Sequence, residues 1–129
     1  MIKQKEYAKR RNQLMRMAGE ESIIIVCAAP ERIRNNDVHY PYRQDSDFLY
    51  LTGFLEPEAL LVMIPGKEGG KCILFCRERD PEREMWDGPM AGLRGAVSEL
   101  GMDEAFSREE IGRRLPPMLH DRERIYYDL

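Results

Sequence analysis

The chain carries little of what most catalytic centres are made from. Histidine occurs twice, cysteine three times and tryptophan once in 129 residues, whereas a dinuclear metal centre needs several carboxylates and at least one imidazole converging on its ions. His39 and His120 belong to no ligand motif: neither has a second histidine four positions away, and no Glu-x-x-His pair occurs. Asp45 and Asp47 superficially look like paired carboxylates, but their neighbours are turn-formers, which makes capping their expected role. The nucleophile elbow Gly-x-Ser-x-Gly, the phosphate loop Gly-x-x-x-x-Gly-Lys and the dinucleotide fingerprint Gly-x-Gly-x-x-Gly are all missing. Gly66 to Gly70 is glycine-rich, but it joins two apolar runs with no helix behind it. It offers no helix-terminal amides to an anion and is read as a turn.

Charge and hydropathy exclude further classes. A net charge of -3 with both signs interspersed leaves no basic stripe for a phosphate backbone, so nucleic acid is not an expected partner. Lys9-Arg10-Arg11 reads as the solvated face of a helix. The longest apolar runs, Ile23 to Ala29 and Ala59 to Ile64, fall far short of the roughly 20 residues that cross a bilayer. Met1 to Glu6 is polar with no secretory core behind it, so a cytoplasmic location is expected. Cys72 and Cys76 lie in one strand-like run, about 13 Å apart if extended, too far for a disulfide or a shared zinc. With Cys27 they read as buried free thiols. Hydrophobic residues at 43% and charged residues at 33% suit one globular domain with a real core.

Periodicity then orders the elements. Tyr7, Leu14 and Ala18 recur at helical spacing among Lys9, Arg10, Arg11 and Arg16, predicting an amphipathic helix over 3–17 that Ala18-Gly19 stops. The run from Ser22 to Ala28 is continuously apolar and β-branched, which predicts a strand covered on both faces. Pro30 closes it, and Glu31 to Val38 is polar enough to be a loop. Pro41 biases Tyr40 to an extended conformation. Asp45 or Ser46 caps a short turn before the element Phe48 to Thr52, which Gly53 ends. Ala59 to Ile64 and Lys71 to Arg77 form an antiparallel hairpin. Pro89 opens a helix with Leu93, Val97 and Leu100 on one face, and Gly101 stops it. Ser107 and Glu110 make a capping box, and Ile111, Leu115 and Met118 an inward stripe. Pro116-Pro117 predicts a kink or an early end, since an interior proline costs about 3 kcal/mol. Arg124 to Asp128 reads as a last core strand, and a chain that stops on such a strand is expected to be one domain, 1–129, of something longer. The fold class is α/β: a single layered domain with a mixed sheet of about five to six strands and helices on both faces.

The most distinctive run is His39-Tyr-Pro-Tyr-Arg-Gln-Asp-Ser-Asp-Phe-Leu-Tyr-Leu-Thr-Gly53, followed by Phe54 and Glu56-Pro57-Glu58. Read from Arg34 to Glu58, it resembles the amino-terminal domain of aminopeptidase P (Xaa-Pro aminopeptidase), a metallopeptidase family related to prolidase and creatinase. The resemblance extends from Tyr7 to Tyr127. Tyr40-Pro-Tyr-Arg-Gln44 with Asp47 to Phe54 looks more like aminopeptidase P than like prolidase or creatinase, which remain alternatives.

The resemblance implies an enzyme that removes an amino-terminal residue from short peptides with proline second. Its separate carboxyl-terminal domain holds two divalent ions, usually manganese, through two Asp, one His and two Glu, and a bridging hydroxide attacks the scissile carbonyl. None of those ligands maps onto this chain, so no catalytic residue, metal or other cofactor is assigned here and the chain alone is expected to be inactive. The domain's implied role is to restrict the cleft and to build part of a homo-oligomer, with its own catalytic domain and proline-containing peptides as partners. A lone tryptophan is by default a packing residue. The resemblance instead places Asp37, and Trp86 in the segment from Glu84, toward the cleft of the same or a neighbouring subunit. It gives Tyr40, Arg43 and Gln44 to structure and domain docking. Inactive relatives use the same domain type as a peptide- or protein-binding module, the second functional class the chain could serve.

Overall fold

The computed structural model describes residues 3–30, 43–67, 69–87 and 91–128. In chain order these form α1 (Gln4–Ala18), β1 (Ser22–Cys27), α2 (Ser46–Thr52), β2 (Leu60–Ile64), β3 (Lys71–Cys76), α3 (Pro81–Asp87), α4 (Gly92–Ser98), β4 (Glu104–Ser107), a 3-10 turn (Arg108–Glu110), α5 (Ile111–Leu119) and β5 (Arg124–Asp128). The strands make one five-stranded mixed sheet in the order β4-β3-β2-β1-β5. β2 runs antiparallel to both β1 and β3, while β4 lies parallel to β3 and β5 parallel to β1. The α/β layered fold expected from the sequence is the one observed.

Strand alternation sorts the core into two halves. Ile24, Val26, Leu61, Met63, Cys72, Leu74 and Cys76 face α1, α2 and α4, meeting Met15, Phe48, Leu51 and Ala96. Ile23, Ile25, Val62, Ile73 and Phe75 face the other way, onto Phe106 and the α5 stripe of Ile111, Leu115 and Met118. This is why β1 and β2 are apolar without interruption: neither face of the middle strands meets water.

Local chemistry fixes the ends of α2. The Asp45 carboxylate accepts the Phe48 N–H at 2.9 Å, an N-cap. Gly53 terminates the helix in the left-handed region at φ +69°, its N–H donating to Leu49 O. A Cβ there would lie 2.6 Å from the Tyr7 ring, so both the backbone and the packing require glycine.

Several expectations need correction. Arg11 is not solvated: it is 1% exposed and donates to Leu51 O at 2.8 Å and to Leu100 O at 3.3 Å, tying α1 to the carboxyl-terminal ends of α2 and α4. Val97 is exposed, and α4 instead buries Gly92 and Ala96, with Leu100 buried just beyond the helix. Ser107 makes no capping box; its hydroxyl donates to Glu109, while Glu110 pairs with Arg113 and Arg114. α5 runs through Pro116-Pro117 to Leu119. The two prolines lack the N–H groups that would donate back to the carbonyls of Gly112 and Arg113, and the helix ends two residues beyond them. β5 is an edge strand rather than a core one, with Ile125, Tyr126 and Tyr127 about half exposed. Cys27 is half-buried, unlike Cys72 and Cys76. β4 and α3 were not expected at all.

Candidate functional site

The register places the carboxyl ends of β1, β3, β4 and β5 and the start of β2 at one end of the sheet: Cys27 pairs Leu60, Leu60 pairs Phe75, Cys76 pairs Ser107 and Val26 pairs Asp128. Open α/β sheets carry their ligand sites outside this end, because the loops that leave it are free to vary. Here the loops hold Ala28 to Pro30, Phe54 to Ala59, Arg77 with α3, and Ser107 with Arg108.

Gln44 is the hub of this rim. Buried to 8% exposure, its side-chain oxygen accepts the N–H groups of Ala29 at 2.8 Å and Asp45 at 3.0 Å. Its amide nitrogen donates to Phe54 O at 3.1 Å and Glu56 O at 2.9 Å. One amide thus satisfies four backbone groups from separate segments, as the burial of those groups demands.

Glu56 continues the network. One carboxylate oxygen accepts the Ala91 N–H at 2.9 Å, and the other lies 3.9 Å from the Arg77 guanidinium. Arg79 grips Glu84 of α3 through two hydrogen bonds of 3.2 Å each. Glu58 stands at φ +59°, a strained position for a side-chain-bearing residue, and its carboxylate pairs with Arg108.

The electrostatics of this rim suit structure more than proton transfer. Burial pushes the Cys76 thiol up to about 12, with Glu56 adding to the effect and Arg77 opposing it. The thiol therefore stays protonated and is a poor nucleophile. Burial likewise raises Cys72, against the pull of Arg11. Glu109 is held below the ordinary carboxylate range by the Ser107 hydroxyl. Among the described residues no three His, Cys, Asp or Glu side chains come together as metal ligands, so they do not fit a two-cation centre.

Of the residues singled out from the sequence, Asp37 and Tyr40 lie outside the described residues. Trp86 falls in α3, its side chain outside what is described. Arg43 is exposed beside the buried Gln44. Glu84 opens the segment that the resemblance places toward the cleft, whereas the sequence assigns no site to Glu56, Arg77 or the Glu58–Arg108 pair. The turn-forming Glu56-Pro57-Glu58 was the one visible signal for any of them.

A separate concavity of about 530 Å³ lies between α1, α2 and β5, with Leu14, Met17, Tyr50 and Tyr126 on its walls. Arg10 stacks there over Tyr50, its guanidinium carbon 4.2 Å from the ring centroid. No helix among the described residues is long and apolar enough to cross a membrane.

Comparison with known proteins agrees with this architecture. Residues 7–126 match the family model described as aminopeptidase P, N-terminal domain. The chain is 40% identical to human Xaa-Pro aminopeptidase 3 over 98% of its own length and 27% of that protein's. It is 39% identical to the Escherichia coli Xaa-Pro aminopeptidase over 98% of its length and 29% of that protein's. The solved structure of Pseudomonas aeruginosa aminopeptidase PepP superposes with a TM-score of 0.90 at 54% identity, covering 99% of this chain and 29% of that one. Zinc-substituted E. coli aminopeptidase P in complex with product gives a TM-score of 0.89 at 40% identity, over 97% and 29% of the two chains. The chain therefore spans less than a third of the length of these relatives.

Proposed function

The chain belongs to the aminopeptidase P amino-terminal domain family, and from that membership we propose that it is the substrate-access and assembly domain of a metal-dependent Xaa-Pro aminopeptidase. The enzyme releases the amino-terminal residue from short peptides with proline second. Such a bond is a tertiary amide with no N–H, which general proteases handle poorly. Two divalent ions, manganese in the first instance, are held by a catalytic region outside these 129 residues; when bound they supply the activated hydroxide. This chain supplies shape. Asp37 and Trp86 border the cleft or an adjoining subunit, while Tyr40, Arg43 and Gln44 hold the loops and dock the catalytic region. The protein assembles as a homo-oligomer and works in the cytoplasm.

The observation that carries this reading is likeness along nearly the whole chain to Xaa-Pro aminopeptidases, at 40% identity to the human protein. Gln44, whose hydrogen bonds pin both ends of the segment bearing Asp37 and Tyr40, adds local support. The test is kinetic. In the full-length, metal-loaded protein, Trp86→Ala should weaken cleavage of Xaa-Pro peptides or change the oligomeric mass. A variant unchanged in both would sink the assignment of Trp86. Release of an amino-terminal residue by the purified 129-residue chain alone would sink the division of labour.

A further inference from the structure

We infer that Glu56 is a positioning residue for substrate binding, because its carboxylate fixes the base of the excursion on which Trp86 is carried. The inference rests on the reading of Trp86 as a cleft residue, and it concerns a side chain whose described partners include Ala91 and Arg77. The chain leaves β3 after Cys76, forms α3 and returns at Ala91.

Three contacts hold the feet of this excursion. Glu56 accepts the Ala91 N–H at 2.9 Å, a charge-assisted bond made by a side chain only 17% exposed. Arg79, at the departing foot, grips Glu84 within α3. Gly92, at the returning foot, lies so close to Arg79 that a Cβ would stand 2.5 Å from its Cγ, and its φ of +69° also requires glycine. The departing and returning strands of chain are thus packed together, and Glu56 ties the pair to the rest of the rim.

Glu56 is itself held. Its backbone oxygen accepts from Gln44, and Gln44 in turn accepts the N–H groups of Ala29 and Asp45, which flank the 31–42 segment. One partly buried polar chain, Gln44 to Glu56 to Ala91, therefore links the backbone at Ala29 and Asp45 to the returning foot of the α3 excursion. A group acting this way affects how well substrate is seated and leaves the bond-breaking step alone, so its loss is read in KM.

The experiment uses the full-length, metal-loaded enzyme and a tripeptide with proline second. Glu56→Ala and Glu56→Asp, the latter keeping the charge near Arg77 while withdrawing its oxygen from Ala91, should each raise KM about fivefold with kcat held within about twofold. Glu56→Gln keeps an acceptor at the right reach and should restore KM to within about twofold of the parent. Because Glu56 acts through α3, adding Glu56→Ala to Trp86→Ala should raise KM no further. The Asp and Gln variants differ from the parent by one methylene or one charge, so they decide the matter even if the Ala variant fails to fold. Unchanged KM in Glu56→Asp beside a raised KM in Trp86→Ala overturns the positioning role and leaves the cleft reading standing. So does a Gln variant as impaired as the Asp variant, or a double variant whose effects multiply. Trp86→Ala with parental kinetics and oligomeric mass overturns the cleft reading, and this inference with it.

Discussion

Replacing Arg11 by alanine should be among the most damaging single changes to this domain. Arg11 is 1% exposed, and its guanidinium donates to two backbone carbonyls, Leu51 O at 2.8 Å and Leu100 O at 3.3 Å. Removing it strands two buried acceptors, each losing a bond to a charged donor worth about 1.5–3 kcal/mol. The 3.3 Å bond belongs at the low end of that range, which puts the loss near 3–5 kcal/mol before any cavity is counted. Against a typical total stability of 5–15 kcal/mol this is a large fraction. Arg11→Met should cost less than Arg11→Ala, since a straight apolar side chain fills the space that alanine leaves empty. Arg11→Lys keeps the charge but cannot span both carbonyls, so it also destabilises. Urea unfolding of the 129-residue chain, followed by far-ultraviolet circular dichroism, measures all three. An alanine variant within about 1 kcal/mol of the parent, with the same dependence on urea, would refute the clamp.

Gly53→Ala should destabilise by about 2 kcal/mol or more, from left-handed strain plus collision with the Tyr7 ring, while Tyr7→Ala in the same chain relieves the collision part alone; equal losses in both backgrounds would contradict this. Alkaline stability tests the Cys76 environment. Burial pushes the folded thiol up to about 12 from the 9.0 of an unburied thiol, so between those pH values the native state holds a proton that the unfolded chain has released, and stability falls as pH rises. Cys76→Ala should flatten that decline by up to about 1.4 kcal/mol per pH unit, and an unaltered slope would show that another group governs it. In the native protein Cys27 should react with iodoacetamide well before Cys72 and Cys76, because it alone is partly open to solvent; equal rates by mass spectrometry would contradict the burial.

The sequence revealed elements wherever burial leaves a period. The unbroken Ile23 to Val26 run, the β2–β3 pair and the α5 stripe of Ile111, Leu115 and Met118 each lie where their patterns put them. β4 left no such trace, since Glu104 to Phe106 is only half-buried and its strand has four residues. Its pairing with β3 makes it a strand, and pairing is a long-range fact. Arg11 was misread for the same reason. Three basic residues in a row look solvated, and the acceptors that draw this one inward lie 40 and 89 positions away. At the rim, Gln44 was legible within a recognisable run. Glu56 was not assigned because its partners are a backbone amide 35 positions on and an arginine that follows another strand.

The pairing of β5 with β1 bears on how the molecule is made. β1 leaves the ribosome well before the strand that covers its outer edge; Cys27 and its contact Tyr127 are 100 positions apart. At translation rates of about 5–20 residues per second, that edge of an isoleucine-rich strand stays bare for on the order of 10 seconds. During that interval the nascent chain offers a template to any other strand within reach. Slow codons or a crowded polysome should therefore harm this protein's yield more than they harm its finished stability.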